Sequence, residues 1–257
     1  MQIEKLETGI PTLDAALQGG IPKGHLVLVT GTPGVMKSSL TFQCIYKSAL
    51  AGKHCAYVTL EQSAASILTQ VKVMGYTFDK VLLDSNNSAV VNEFFDTKKK
   101  SARSGTISIL DLGFERAKTK REKFSWLEAI QEELEKLKKR GLEVVVIDSL
   151  NVLYQIGDFA ERRAEIYYLF DFFKKLDLTC FVIHELNASS EEPHHHTFES
   201  YLVDGIIRIV SVKRNLKMLR ELNVEKMRFI DHSMNVFLFS FDAKKGVFKL
   251  TEKLAVD

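Results

Sequence analysis

A chain of 257 residues can form one large domain or two small ones, and its 46% hydrophobic content supplies a substantial core, which excludes a disordered chain. A formal net charge of +2 is too small to argue for a polyanionic partner by itself. No apolar run reaches the roughly 18 residues that cross a bilayer, and the start Met1-Gln2-Ile3-Glu4-Lys5 has no apolar stretch of signal-peptide length, so a soluble, cytoplasmic protein is expected.

In chain order, short β-branched runs alternate with segments of helical period, the pattern of βαβ units around a largely parallel sheet. A strand is expected over 25–30, a helix over 38–50 ended by Gly52, a strand over 54–60, a helix from about 63 to 74 and a short strand over 80–83. Strands follow over 106–112 and 143–148, the second nearly all apolar, as a strand covered on both faces should be. Between them Phe124, Leu127, Ile130, Leu134 and Leu137 recur at helical spacing. Glu132 with Lys136 and Glu135 with Lys139 are placed to support that helix, and Gly141 ends it. A strand over 180–184 precedes a polar stretch over 185–200. Runs over 202–210, 216–226, 235–241 and 247–250 read as antiparallel strands with short connections. Cys44, Cys55 and Cys180 are far apart, odd in number and free of zinc-ligand spacing, so they read as reduced, mostly buried thiols. With no flexible linker and no repeat, residues 1–257 are expected to form a single α/β domain with antiparallel strands at its C-terminal end.

Strand 26–30 runs into Gly31, Thr32, Pro33, Gly34, Val35, Met36, Lys37, Ser38 and Ser39 and then a helical pattern, the strand–loop–helix setting of a P-loop. Backbone N–H groups of such a loop hold phosphate oxygens, and the helix N-terminus adds a favourable dipole. Lys37 is then expected at the β- and γ-phosphates of ATP, with the Ser38 hydroxyl on Mg²⁺. Met36 stands where the usual pattern has glycine; a left-handed backbone there would cost roughly 1–2 kcal/mol. Displacement of Lys37 would slow chemistry more than it weakens binding. An ordinary strand–turn–helix junction is the bland alternative.

Val144-Val145-Val146-Ile147-Asp148 reads as an apolar strand expected beside the P-loop strand, with Asp148 in the magnesium hydration shell or, more simply, as a helix cap. Glu61 ends the strand Ala56-Tyr57-Val58-Thr59-Leu60 and is the candidate to orient the attacking water, unless it is only an exposed residue of a β–α turn.

These residues resemble the KaiC-like branch of the RecA superfamily, which also takes in archaeal Rad55-type ATPases. Four blocks carry the resemblance: Thr8-Gly9-Ile10-Pro11-Thr12-Leu13-Asp14 with Gly19-Gly20-Ile21-Pro22-Lys23-Gly24; the phosphate loop; Tyr57-Val58-Thr59-Leu60-Glu61-Gln62; and Val224-Glu225-Lys226-Met227-Arg228 with His232 and Phe239. The family often has two adjacent acids where this chain has Glu61-Gln62, so only Glu61 inherits the catalytic role. The resemblance implies a RecA-like P-loop fold and self-association, as a hexameric ring or related assembly, with Lys226 and Arg228 reaching ATP bound by a neighbouring subunit. Read without the family, Arg220, Leu222, Val224, Lys226 and Arg228 share one face of an extended strand that is basic at one end.

The expected activity is slow, Mg²⁺-dependent hydrolysis of ATP, coupled to rearrangement of the assembly and regulation of a protein partner. The alternatives are a nucleotide-binding regulator or scaffold without turnover, and a recombinase-like ATPase binding single-stranded DNA. The run Pro193-His194-His195-His196 is a poor metal site because alternate side chains of an extended segment diverge. The basic clusters Lys98-Lys99-Lys100 with Arg103, and 116–123, read as solvated surface, since no aromatic platform alternates with them.

Overall fold

The computed structural model describes residues 3–86, 105–113, 125–154, 159–186 and 198–252. The histidine run at 194–196 and the basic clusters at 98–103 and 116–123 lie outside the described residues.

The chain enters through β1 (Lys5–Leu6), α1 (Pro11–Ala16) and β2 (Ile21–Pro22), then β3 (Leu26–Gly31) and α2 (Lys37–Leu50). β4 (His54–Thr59), α3 (Ala64–Val73), β5 (Val81–Ser85) and β6 (Gly105–Asp111) follow. Next come α4 (Trp126–Lys138), β7 (Leu142–Asp148), α5 (Asn151–Tyr154), α6 (Phe159–Lys175) and β8 (Thr179–Glu185). α7 (Phe198–Leu202), β9 (Gly205–Arg214), β10 (Lys217–Met227), β11 (Phe237–Asp242) and β12 (Val247–Glu252) complete it. Ten strands form one sheet in the order β12-β11-β10-β9-β3-β8-β7-β4-β6-β5. From β9 to β5 all neighbours are parallel; β10, β11 and β12 add on antiparallel.

Alternation along each strand sends side chains to two separate cores. Val27, Val29, Tyr57, Val144, Val146, Phe181 and Ile183 pack with Leu40 and Ile45 of α2 and Ile67 and Leu68 of α3. Leu26, Leu28, Val58, Val145, Ile147 and Val182 pack with Ile130 and Leu134 of α4 and Leu169 and Phe173 of α6. Each such fully buried side chain contributes on the order of 1.5–3 kcal/mol, so the central strands are held firmly on both faces. Helix starts follow local chemistry. Ser63 accepts the N–H of Ser66 at 3.2 Å to begin α3, and Ser125 accepts that of Glu128 at 3.2 Å to begin α4. On α4, Lys136 reaches Glu133 at 2.6 Å. All three cysteines are free and buried.

Three expectations need correction. β7 does not lie beside β3: β8 pairs with both and stands between them. The expected strand at 202–210 begins three residues late, because Phe198–Leu202 is helical and its last turn is capped by the Lys226 ammonium, which donates to the carbonyls of Ser200 at 3.0 Å and Val203 at 2.8 Å. The basic face of β10 is also interrupted. Val224 pairs with Ile207 but Lys226 with Ile206, so a β-bulge at Glu225 turns Lys226 to the face opposite Val224.

Candidate functional site

The C-terminal ends of β3, β8, β7 and β4 lie side by side, and the segments leaving them form the candidate site. At the end of β3, a Cβ on Gly31 would lie 2.0 Å from the Ile209 carbonyl oxygen, so only glycine fits that close approach of β3 to β9. The loop then turns through Thr32, Pro33 and Gly34, the last at φ 78° with open space around it. Val35 is buried in the core. Met36 takes φ 73° and ψ 31°, the left-handed conformation, as the residue preceding α2, while its half-buried side chain packs on the core.

Lys37 opens α2 with only 4% of its side chain exposed. Its ammonium donates to the Thr32 carbonyl at 2.9 Å and to Glu185 Oε1 at 3.1 Å. The next residue, Ser38, faces the Asp148 carboxylate closely enough to favour its ionised form. The Ser39 side chain turns away from the loop: its hydroxyl accepts from Gln70 Nε2 of α3 at 2.7 Å.

Asp148 ends β7 and is 7% exposed. Burial raises its pKa above the usual carboxylate value; the hydrogen bond from Tyr57 and the nearby Ser38 oppose that rise, Glu61 adds to it and Lys37 opposes it. The Tyr57 hydroxyl, itself fully buried, donates to Asp148 Oδ2 at 2.5 Å and fixes the carboxylate's orientation. Glu61 sits two residues past β4, exposed, and accepts a hydrogen bond from the Ser149 hydroxyl. β4 and β7 are adjacent, with Thr59 opposite Asp148, which is why Glu61 and Ser149 meet. Asn151 lies 3.5 Å from the Ser149 hydroxyl and grips the backbone of Glu185 twice: its Oδ1 accepts the Glu185 N–H at 2.7 Å and its Nδ2 donates to the Glu185 carbonyl at 3.0 Å.

Lys37, Ser38, Asp148 and Glu61 are therefore brought together, whereas Lys226 and Arg228 are not. They lie at the opposite edge of the parallel strands, where Met227 pairs with Gly205 and Arg228 N–H donates to the Asp204 carbonyl at 2.9 Å. Arg228 also pairs with the Asp204 carboxylate at 2.9 Å, and that carboxylate accepts the Leu26 N–H at the start of β3. Burial lowers the pKa of Lys226, as does nearby Arg228.

Sequence reasoning missed Tyr57, Ser149, Asn151 and Glu185. Glu185 carried a weaker signal, an acid two residues past the apolar run Cys180-Phe181-Val182-Ile183 with His184 between, where Asp148 follows its run directly. The Thr8–Asp14 block is structural: Asp14 Oδ1 accepts the Thr8 N–H at 2.7 Å and its hydroxyl at 2.8 Å. Among the described residues no group of three or more His, Cys, Asp or Glu is placed to hold a metal, and no helix is long and apolar enough to cross a membrane.

The family model "ATPase: KaiC" matches residues 6–253. The chain is 28% identical over 255 residues to a UPF0273 protein of Thermotoga maritima, covering 98% of this chain and 94% of that one. It is 25% identical over 247 residues to the circadian clock protein KaiC3 of Synechocystis; the match covers 95% of this chain but only 45% of KaiC3. The crystal structure of the KaiC-like protein PH0186 from Pyrococcus horikoshii superposes with a TM-score of 0.75 at 21% identity, covering 97% of this chain and all of that one, a likeness of fold. With a RecA-like fold and a family match over nearly its whole length, the chain belongs to the KaiC family of ATPases.

Proposed function

We propose that this protein binds ATP with Mg²⁺ and hydrolyses it to ADP and phosphate, with a second copy of the chain completing the site. The observation that carries the reading is the convergence of Lys37, Ser38, Asp148 and Glu61 at the ends of three strands, each of a residue type the reaction needs. The donors suit Mg²⁺: a hydroxyl and a buried carboxylate are hard oxygen ligands, and this ion takes few protein ligands because it keeps waters and phosphate oxygens. Ser38 and Asp148 would hold it, and when bound it would neutralise charge on the phosphate oxygens. Loop N–H groups from Gly31 to Ser39 and the Lys37 ammonium bind and orient the phosphates. Glu61, exposed and held by Ser149, positions the attacking water and takes its proton.

Lys226 and Arg228 act on a neighbour. The six residues of β3 span about 20 Å at roughly 3.3 Å each, which separates this pair from the chain's own loop. A head-to-tail neighbour would bring them to the phosphates, in a ring or related assembly. Nucleotide at such shared sites would couple hydrolysis to the arrangement of subunits, and so to a protein partner.

The test is steady phosphate release by the purified protein. Release is expected to require Mg²⁺, to vanish in Lys37→Ala together with ATP binding, and to fall about 10²–10⁴-fold in Glu61→Gln with binding retained. Tight ATP binding by wild type without Mg²⁺-dependent release would overturn hydrolysis and leave a nucleotide-binding regulator.

A further inference from the structure

Lys37 is almost entirely buried, and its charge is met within the chain by Glu185, 3.1 Å away. A lysine that is to bind phosphate is thus already paired with a carboxylate. The pair's two members are held differently. Lys37 is fixed at the first turn of α2, and Glu185 is gripped by both hydrogen bonds from Asn151 to its backbone N–H and C=O. Only the side-chain torsions of Glu185 remain free, and at 35% exposure its carboxylate has a route to solvent. We propose that Glu185 is an internal competitor for the phosphate-binding lysine, a residue that sets nucleotide affinity by occupying Lys37 until a terminal phosphate displaces it, and that Asn151 is its mount.

The proposal rests on the reading of Lys37 as the phosphate ligand. Its physical content is charge competition. A triphosphate brings more negative charge to Lys37 than a diphosphate, and it repels the Glu185 carboxylate as well. A diphosphate makes the weaker demand and leaves Glu185 room to share the ammonium. Displacement therefore depends on the terminal phosphate. The mount is also coupled to the water-positioning side of the site, because Asn151 lies beside the Ser149 hydroxyl that holds Glu61.

The experiment compares binding of AMP-PNP and ADP, each with Mg²⁺, by wild type, Glu185→Gln, Glu185→Ala, Asn151→Ala and Lys37→Ala, using calorimetry. Loss of a charged hydrogen-bonding competitor predicts about tenfold tighter AMP-PNP binding in Glu185→Gln and Glu185→Ala, with a smaller gain for ADP. Asn151→Ala should show part of the same gain, and Lys37→Ala should bind neither nucleotide. Thermal midpoints without nucleotide separate out structural damage, since a purely structural Glu185 would shift the midpoint but leave the AMP-PNP to ADP affinity ratio unchanged. Binding in wild type with an unchanged ratio, or weaker AMP-PNP binding in both Glu185 variants, overturns the competition alone. Failure of wild type to bind either nucleotide overturns the reading of the site beneath it.

Discussion

At one edge of the parallel strands, four strand ends deliver Lys37, Glu185, Asp148 and Glu61 into one hydrogen-bonded group, and each polar member there has a partner supplied by another strand. At the other edge, Lys226 and Arg228 are equally well placed as charges, but what they meet is their own chain: carbonyls at the end of α7 and the carboxylate of Asp204. The first edge gathers, within one copy, the groups that the proposed reaction assigns to phosphate, metal and water. The second is a cationic pair satisfied within its own chain, which the proposed reading assigns to the phosphates of a neighbour. Parallel strands impose this division, because all their C-terminal ends face one way while the antiparallel β10 returns its own end to the opposite side.

The comparison breaks most directly by mixing variants. Glu61→Gln should lose about 10²–10⁴-fold in phosphate release, and Arg228→Ala about 10³-fold. In an equimolar mixture of the two, random pairing around head-to-tail interfaces leaves about a quarter of sites with both groups intact, and release should return to about that share of wild type. Recovery absent under conditions where the subunits exchange would show that the two edges do not cooperate, and that Arg228 serves only Asp204.

How far this division could be read beforehand depended on the kind of signal. The phosphate loop, Asp148 and Glu61 were legible because each follows an apolar strand whose pattern announces where its end will be. The order of strands was not: the insertion of β8 between β3 and β7 is a tertiary choice, and with it went the position of Glu185. The one-residue bulge at Glu225 was equally silent, although it decides which face Lys226 joins. Tyr57 was hidden by its own strand pattern, since a buried aromatic in an apolar run looks like core until its hydroxyl is found on Asp148.

A subtler difference lies along β8 itself, between Glu185 and the residue before it. His184 turns to the opposite face, opposite Thr30 of β3 and against the Tyr154 ring at 5.7 Å, with its Nδ1 buried and unbonded among the described residues. Burial, with the Lys37 charge assisting and Glu185 opposing, lowers its pKa from 6.5 to about 4. The unfolded chain therefore takes up this proton first as pH falls. The contribution is intact above pH 6.5 and is lost progressively down to about pH 4. At pH 5 the loss amounts to about 2 kcal/mol, so His184→Gln should unfold with a visibly flatter dependence on pH between 7 and 5 than wild type. Equal slopes for the two proteins would mean that the ring gains a proton without disturbing the fold, and that the ends of β3 and β8 are less tightly closed on this face than on the other.

The smallest expected effect concerns Met36. A left-handed backbone costs a residue with a Cβ roughly 1–2 kcal/mol, and Met36→Gly would remove that strain. Glycine would also lose the packing of the half-buried side chain and add about 0.5–1 kcal/mol of backbone freedom to the unfolded state, so the gains and losses nearly cancel. The consequence for catalysis is sharper than for stability. Met36 already holds the conformation that glycine would adopt, and Lys37 and Ser38 already reach Glu185 and Asp148 from it. Substitution should therefore change kcat/KM for ATP less than about threefold, because the loop has no better backbone to relax into. An increase of about tenfold or more would show instead that the methionine strains the loop away from its working geometry, and the proposed arrangement of the phosphate edge would then belong to the glycine variant and not to the natural chain.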